Sequence, residues 1–148
     1  MYLAQLNIAK LLAPIDSPQL KDFVDNLDPI NAIAEESAGF IWRLKDESGN
    51  ATSIEGFDDP AIIANMSVWT SVETLKQFMF KTHHINFLKR KSEWFENPSK
   101  ANYVLWWIPK NHIPTLEEAR SKLFYMQEKG ESSKAFTFKT SAKYDSPK

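Results

Sequence analysis

The chain has 148 residues, of which 43% are hydrophobic, 13% aromatic and 25% charged, a size and composition typical of one globular domain. Eighteen Lys and Arg against nineteen Asp and Glu give a formal charge of -1, so the basic surplus that nucleic-acid binding usually needs is absent. No cysteine is present, which excludes disulfides, thiolate catalysis and metal sites with cysteine ligands. Without a basic leader or long apolar segment, a cytoplasmic protein outside the membrane is expected.

The first half of the sequence predicts two strands separated by a helix. Side chains alternate over residues 2–10, which indicates a strand. A Ser-Pro pair at 17–18 supplies an N-cap followed by proline in the first turn, and apolar residues continue at helical spacing to residue 34. Pro29 is expected to kink or split this helix. Residues 39–45 predict the second strand, and the polar segment 46–60 predicts a long loop.

The second half begins with a third strand over residues 61–70. Thr70 and Glu73 have the spacing of a capping box that opens a helix through Met79. A further helical stripe covers residues 84–95, and the apolar segment 103–109 predicts the fourth strand.

The C-terminal part adds one helix and one short strand. Thr115 and Glu118 form a second capping box, and Gly130 is suited to end the helix that follows. Residues 135–138 predict a last strand, and the tail from 140 to 148 is expected to be disordered. The predicted single domain is therefore residues 1–139.

The order strand, helix, strand, strand, helix, strand is that of an α+β, ferredoxin-like antiparallel sheet, here with an extra C-terminal helix and strand. Helices are expected on one face of this sheet. The other face would be bare unless a second copy covered it, and the aromatic strands favour such a cover. The pattern therefore predicts a homodimer.

Several segments together resemble the bacterial family called domain of unknown function 3291, over about residues 3–139. They are QLNIA, NLDPINAIA, GFIWRL, GNAT, NMSVW, the block from His84 to Phe95, LWWIP, HIPTLEEA and AFTFK. The resemblance implies a dimeric α+β barrel, in the superfamily of the antibiotic-biosynthesis monooxygenases. The segment VWTSVETLKQF is similar to a strand-to-helix turn of that superfamily. In the heme-degrading branch of that superfamily, an asparagine, a tryptophan and a histidine surround the ligand. Asn7 and His84 of this chain match the asparagine and the histidine, whereas Phe78 stands in place of the tryptophan.

Three histidines and three polar strand residues are candidates for chemistry. His84 is suited to act as an acid, a base or a heme ligand, although a hydrogen-bonded core histidine is the alternative. His83 is interpreted as exposed, and His112 as a brace for the entry to the last helix. No histidine has a carboxylate at metal-ligand spacing, so no metal site is predicted.

Asn7, Asn65 and Ser67 are polar residues on strands that otherwise look buried, so they either orient a ligand oxygen or bond to backbone and water. If they share a face with Trp69 and Trp42, the result is a mostly apolar pocket with a few directed polar groups. The alternative for the tryptophans is core packing.

The predicted catalytic residues are His84 and Asn7. Arg43 and Arg90 are candidate clamps for an anionic group, with surface ion pairs as their alternative. The predicted substrate-binding residues are Asn65, Ser67, Trp69, Trp42, Phe78 and Arg90.

These observations favour an α+β barrel protein that binds an apolar aromatic or polycyclic small molecule. If the protein is an enzyme, the resemblance implies monooxygenase-like or cofactor-independent chemistry, and no cofactor is predicted. A non-catalytic binding or structural module and a heme-binding protein remain as alternatives.

Overall fold

The computed structural model describes residues 1–45, 59, 61–82 and 84–144, except for the side chains of residues 84 and 87. The strands are β1 (Tyr2–Lys10), β2 (Phe40–Arg43), β3 (Ile62–Trp69) and β4 (Tyr103–Ile108). The α-helices are α1 (Lys21–Asp25), α2 (Leu27–Glu36), α3 (Val72–Lys81), α4 (His84–Arg90) and α5 (Leu116–Lys129). None of these helices is both long enough and apolar enough to cross a lipid bilayer.

The four strands form one antiparallel sheet in the order β2-β3-β1-β4. This is the order of a ferredoxin-like sheet, in which the two central strands are the first and the third. The predicted α+β fold class is therefore confirmed, and β1 has the predicted bounds. Because β1 and β3 lie in the centre, the polar residues of both strands are adjacent.

One face of the sheet, which we call the back face, carries only apolar side chains in its buried cluster. The helix α5 covers this face, and the packed residues are Ala4, Leu6, Ala64, Met66, Val68, Val104, Trp106, Ile108, Ala119, Leu123, Met126 and Ala135. None of them is more than 5% exposed. The expectation that helices cover one face only is thus corrected, because α5 covers the face for which a second copy had seemed necessary.

The opposite face, which we call the front face, lies beneath α2 and α3. Its apolar cluster is made by Leu3, Ala34, Trp69, Val72, Leu75, Phe78, Leu105 and Phe136. The front face also carries Gln5 and Ser67, two of the three buried polar residues among those described. Polar chemistry is therefore concentrated on one side of the sheet.

The predicted first helix is divided, although not at Pro29. Residues Pro18–Leu20 form a 3-10 turn, and Ser17 makes no capping hydrogen bond with its side chain. The helix then breaks at Asn26, between α1 and α2. Pro29 is the third residue of α2, where a missing N–H costs little. In a continuous helix the ring of Pro29 would clash with the carbonyl of Asp25, four residues earlier. The helix α1 ends at Asp25.

A register shift in β2 changes which face Trp42 occupies. Phe40 is opposite Trp69, whereas Trp42 is opposite Val68, so Ile41 is an extra residue between them. As a result Phe40 packs on the front face and Trp42 on the back face. Strict alternation over the predicted strand 39–45 puts Phe40 and Trp42 on one face, and this expectation is wrong because alternation does not anticipate a bulge.

The entry to α3 is capped one residue later than predicted. Ser71, not Thr70, accepts a hydrogen bond from the backbone N–H of Thr74 at 3.1 Å, and the hydroxyl of Thr74 accepts one from the backbone of Ser71. A Cβ on Gly39 would lie 2.5 Å from the side chain of Thr74, and Gly39 has a φ of 83°. The close approach and the positive φ together require glycine immediately before β2.

The C-terminal segment is more ordered than expected. The predicted strand at 135–138 is reduced to one bridge between Leu105 and Phe136. Residues Ser141–Lys143 form a 3-10 turn, and the carbonyl of Tyr144 accepts a hydrogen bond from Trp107 Nε1 at 2.6 Å. The expected disorder from residue 140 is therefore corrected for 140–144. The predicted 46–60 loop lies outside the described residues except Asp59, and so does 145–148.

Candidate functional site

Four side chains on the front face form a continuous hydrogen-bonded chain, which we call the polar row: Asn65, Gln5, Ser67 and Trp69. Gln5 Nε2 donates to Asn65 Oδ1 at 2.7 Å and to Ser67 Oγ at 2.8 Å. Trp69 Nε1 donates to the same hydroxyl oxygen at 2.8 Å. The pairing of Gln5 with Ser67 across β1 and β3 creates this contact between residues 62 positions apart.

The bonding within the polar row leaves two donors for a ligand. Ser67 Oγ already accepts two hydrogen bonds, so its hydroxyl hydrogen is the remaining group. Asn65 uses Oδ1 as an acceptor, and its Nδ2 meets no acceptor in the described part of the protein. Asn65 is also exposed, whereas Gln5 and Ser67 are buried. The row therefore has a buried end that fixes its geometry and an accessible end that presents an N–H donor.

Aromatic rings enclose the buried end of the polar row. Phe78 stacks on Trp69 with ring centroids 5.3 Å apart. Phe40 packs against Trp69 in an edge-to-face arrangement. Trp69 is 0% exposed and Phe78 is 8% exposed. Both residues were predicted to contact substrate. In the structure the indole N–H of Trp69 bonds to Ser67, and Phe78 stacks on Trp69. Contact of either ring with a substrate stays a prediction.

Asn7 lies where the prediction expects it, directly opposite Asn65 on the front face. It is half-buried, and it faces Tyr103 on its other side. The structure thus brings together five predicted residues, namely Asn7, Asn65, Ser67, Trp69 and Phe78. Trp42 is excluded from the group, since it lies across the sheet on the back face.

A cleft of about 260 Å³ separates α2 from α4 on the same side of the sheet. It is lined by Asn26, Pro29, Ile30, Ile33, Asn86, Arg90 and Trp94. Ile30 and Ile33 also pack against the front-face cluster. Four of the seven lining residues are apolar, which suits the ring system of an aromatic ligand.

Arg90 forms an exposed network at the edge of this cleft. Its guanidinium lies 3.0 Å from Asp22 and 2.8 Å from Glu93, and its Cζ lies 4.8 Å from the centroid of Trp94. The hydrogen bond to Glu93 raises the pKa of Arg90 most, and the hydrogen bond to Asp22 raises it further. Because both carboxylates already occupy the guanidinium, Arg90 is a poorer clamp for a ligand anion than predicted.

Arg43 occupies a different environment, beside the polar row. It is opposite Ser67 across β2 and β3, and its side chain is only 13% exposed. Arg43 Nε donates to Glu35 Oε1 at 2.8 Å. This hydrogen bond, with the positive charge behind it, lowers the pKa of Glu35.

One member of this region, Gln5, was not among the predicted residues, whereas Arg43 was predicted as a candidate clamp for an anionic group. Strand alternation placed Gln5 on the face of Asn7, which was the available signal. Its role depends on the register between β1 and β3, which alternation within one strand does not reveal. The position of Arg43 depends in the same way on the bulge in β2.

Of the three histidines, only His112 has a side chain that the structure describes. His84 begins α4, but its side chain lies outside the description, as does the whole of His83. His112 Nε2 lies 2.6 Å from Glu118 Oε1, and Glu118 Oε2 accepts a hydrogen bond from Trp106 Nε1 at 2.9 Å. His112 therefore braces the entry to α5, as the sequence predicts.

No group of three His, Asp or Glu side chains in the described ranges is arranged to hold a metal ion. The chemistry available in this region comes from amides, one hydroxyl, a guanidinium and aromatic rings. Such groups hold and polarise an oxygen-bearing ligand.

Several solved structures share this fold. A conserved protein from Methanosarcina mazei Go1 aligns with a TM-score of 0.54 at 11% identity, over 74% of this chain and 94% of its own. A mutant of SnoaB, a cofactor-independent oxygenase from Streptomyces nogalater, aligns with a TM-score of 0.52 at 10% identity, over 77% and 98%. Rv0793 from Mycobacterium tuberculosis aligns with a TM-score of 0.51 at 11% identity, over 77% and 100%. No curated protein matches.

These likenesses define the class: the chain has the α+β fold of these solved structures. At such identities they show the fold alone. The family follows from the sequence itself. Residues 2–148 match the model described as "Domain of unknown function (DUF3291)", and the chain belongs to that family.

Proposed function

We propose that this protein binds an apolar aromatic or polycyclic small molecule on the front face of the sheet, beneath α2, α3 and α4. The polar row carries the proposal, because it presents the N–H donor of Asn65 from a hydrogen-bonded and buried support. The apolar cleft between α2 and α4 gives ring systems a place on the same side of the sheet. A mostly apolar site with few directed polar groups is the usual anatomy of a small-molecule site.

Within this site, we assign cofactor-independent oxygenation as the reaction. The fold is shared with SnoaB, a cofactor-independent oxygenase. The substrate supplies the electrons: an activated CH2 group loses two hydrogens and gains one oxygen atom of O2 as C=O, and the second oxygen atom leaves as water. The CH2 carbon must first lose a proton. This deprotonation gives an enolate with negative charge on its oxygen.

Each predicted residue then has a role in that sequence. His84, at the start of α4, is assigned to remove the proton from carbon. Asn65 donates to the enolate oxygen, and Asn7 is placed opposite to hold the same oxygen. Ser67 and Trp69 keep Asn65 and Gln5 in position through the polar row.

Oxygen uptake with anthrone, a tricyclic ketone with an acidic CH2 group, tests the proposal. Asn65→Ala should reduce kcat by about 100-fold, since removal of one oxyanion donor has an effect of that order. His84→Ala should also reduce kcat, whereas Asn111→Ala, an exposed asparagine elsewhere, should not. Unchanged turnover in His84→Ala would remove its assigned role.

The absence of oxygen uptake, with anthrone still bound, would support a non-catalytic binding module instead. A Soret band on titration with heme, lost in His84→Ala, would support the heme-binding alternative.

A homodimer is proposed from the superfamily resemblance, with an interface away from the back face. The back face is already closed by α5 within one chain. Native mass spectrometry should give twice the chain mass of 17.0 kDa. A single chain mass would contradict the homodimer and leave the ligand site unaffected.

A further inference from the structure

Two cationic residues follow one another closely beside the polar row: Arg43, the last residue of β2, and Lys45, two residues further along the chain. Arg43 is opposite Ser67. The backbone N–H of Leu44 donates to the carbonyl of Met66 at 2.8 Å, so the pairing continues beyond β2. Lys45 therefore comes opposite Asn65, and strand alternation gives it the same face as Arg43. Directly opposite residues have Cβ atoms about 5 Å apart.

Arg43 is held by one hydrogen bond and keeps most of its donors. Its Nε bonds to Glu35 at 2.8 Å, whereas its two terminal amino groups meet no acceptor in the described part of the chain. A guanidinium that is only 13% exposed has lost most of its water. Unused donors in such a position favour a ligand that accepts hydrogen bonds and is negatively charged.

The local charge has the same sign. Arg43 and Lys45 contribute two positive charges, against one negative charge from Glu35. The hydrogen bond from Arg43 lowers the pKa of Glu35, so this carboxylate stays ionised and keeps the guanidinium in one orientation. A net positive site beside an amide donor is suited to an oxyanion.

We propose that Arg43 is a specificity-determining residue of this site and that the aromatic ligand carries an oxyanion substituent, such as a phenolate, carboxylate or sulfonate. Arg43 contacts this substituent through its terminal amino groups, while Asn65 contacts a second oxygen of the ligand. The inference rests on the proposed function, because it identifies the class of ligand bound on the front face. It needs no catalytic step.

Two fluorescent probes with the same ring system test the inference. The anionic probe is 1-anilinonaphthalene-8-sulfonate, and the neutral probe is N-phenyl-1-naphthylamine, which lacks only the sulfonate. The wild type should bind the anionic probe about tenfold more tightly than the neutral probe, the effect of one hydrogen bond to a charged group. Arg43→Met should abolish this preference and change the affinity for the neutral probe less than about twofold.

Three further variants define the origin of the preference. Arg43→Lys keeps the charge but not the planar fork, so it should retain part of the preference. Glu35→Gln should tighten binding of the anionic probe by a few fold, because the guanidinium loses its competing carboxylate. Arg120→Met removes an arginine of α5, on the other side of the sheet, and should have no effect. The melting temperature of each variant verifies folding.

The outcomes separate this inference from the proposed function. Equal preference in the wild type and in folded Arg43→Met would overturn the role of Arg43. Binding of the neutral probe alone would overturn the oxyanion but retain the ligand site. Failure of the wild type to bind either probe would contradict the proposed function together with the inference.

Discussion

The two faces of the sheet are built from the same strands but differ in chemistry. The back face packs apolar side chains against α5, with no buried residue more than 5% exposed. The front face mixes an apolar cluster with the polar row, an accessible Asn65 and the Arg43–Glu35 ion pair. Alternation along each strand separates the two sets of side chains. One face can therefore supply stability while the other presents polar groups to a ligand.

This difference explains why buried polar groups are tolerated in the centre of the sheet. A buried amide or hydroxyl without a partner costs about 1–3 kcal/mol. Gln5, Ser67 and Trp69 avoid that cost by bonding to one another. The polar row is consequently a rigid support, and its accessible end at Asn65 gains a fixed direction.

Leu123→Ala is expected to have the largest effect on stability. Leu123 is 0% exposed in the back-face cluster, and removing its side chain should cost about 2–5 kcal/mol in the free energy of unfolding, measured with urea. Phe124→Ala, at a neighbouring position that is 49% exposed, is the control and should cost far less. A cost below about 1 kcal/mol for Leu123→Ala would contradict the placement of α5 on the back face. Probe binding by the folded fraction should be retained.

Ser67→Ala should have the next largest effect, about 1–3 kcal/mol, because Gln5 and Trp69 each lose an acceptor. Ser121→Ala, an exposed serine of α5, is the control. In a Gln5→Leu background the cost of Ser67→Ala should be smaller, since only the indole N–H is then left unpaired. Strictly additive costs would contradict a continuous row.

Glu131→Gln tests how the C-terminal segment is held over the front face. Glu131 Oε1 accepts hydrogen bonds from the backbone N–H of Thr137 and the hydroxyl of Thr140, both at 2.7 Å, and from the Thr137 hydroxyl. Burial raises the pKa of Glu131, but these hydrogen bonds outweigh it, and the pKa lies below its ordinary value of 4.5.

The sign of the pH dependence follows from that lowered pKa. The stabilisation is complete above about pH 4.5 and is lost as the pH falls through the folded-state pKa. Glu131→Gln should cost about 1 kcal/mol at pH 7 and make acid unfolding less steep. Glu128→Gln, with an exposed carboxylate, should leave the acid limb of a pH titration unchanged. An equal effect of both variants would contradict a specific stabilising role of Glu131.

Arg90→Met should have the smallest effect, below about 1 kcal/mol, because its ion pairs with Asp22 and Glu93 are exposed. The difference from the wild type in urea unfolding should shrink further at high salt. A loss above about 2 kcal/mol would show that Arg90 supports the cleft more strongly than surface ion pairs do.

Much of the front face could be predicted from sequence. Alternation with period two places Asn7 with Gln5, and Asn65 with Ser67 and Trp69, and the structure confirms both sets. The strand order follows from the ferredoxin-like sequence of elements. These features depend on local periodicity, which a single strand already expresses.

The remaining features depend on contacts between distant segments. The bulge at Ile41 moves Trp42 to the back face, and no local pattern signals it. The side on which α5 packs is decided by its fit to the sheet, so a second copy seemed necessary from sequence. The hydrogen bonds of Gln5 require the register of β1 against β3.

The most direct test of ligand binding on the front face is a titration of the protein with 1-anilinonaphthalene-8-sulfonate, followed through assigned side-chain N–H resonances. Trp69 Nε1 and Asn65 Nδ2 report on the front face, and Trp106 Nε1, bonded to Glu118, reports on the back face. If the ligand binds the front face, the Asn65 and Trp69 resonances shift with one common Kd while that of Trp106 stays fixed. A shift of Trp106 without shifts of the other two would contradict binding on the front face.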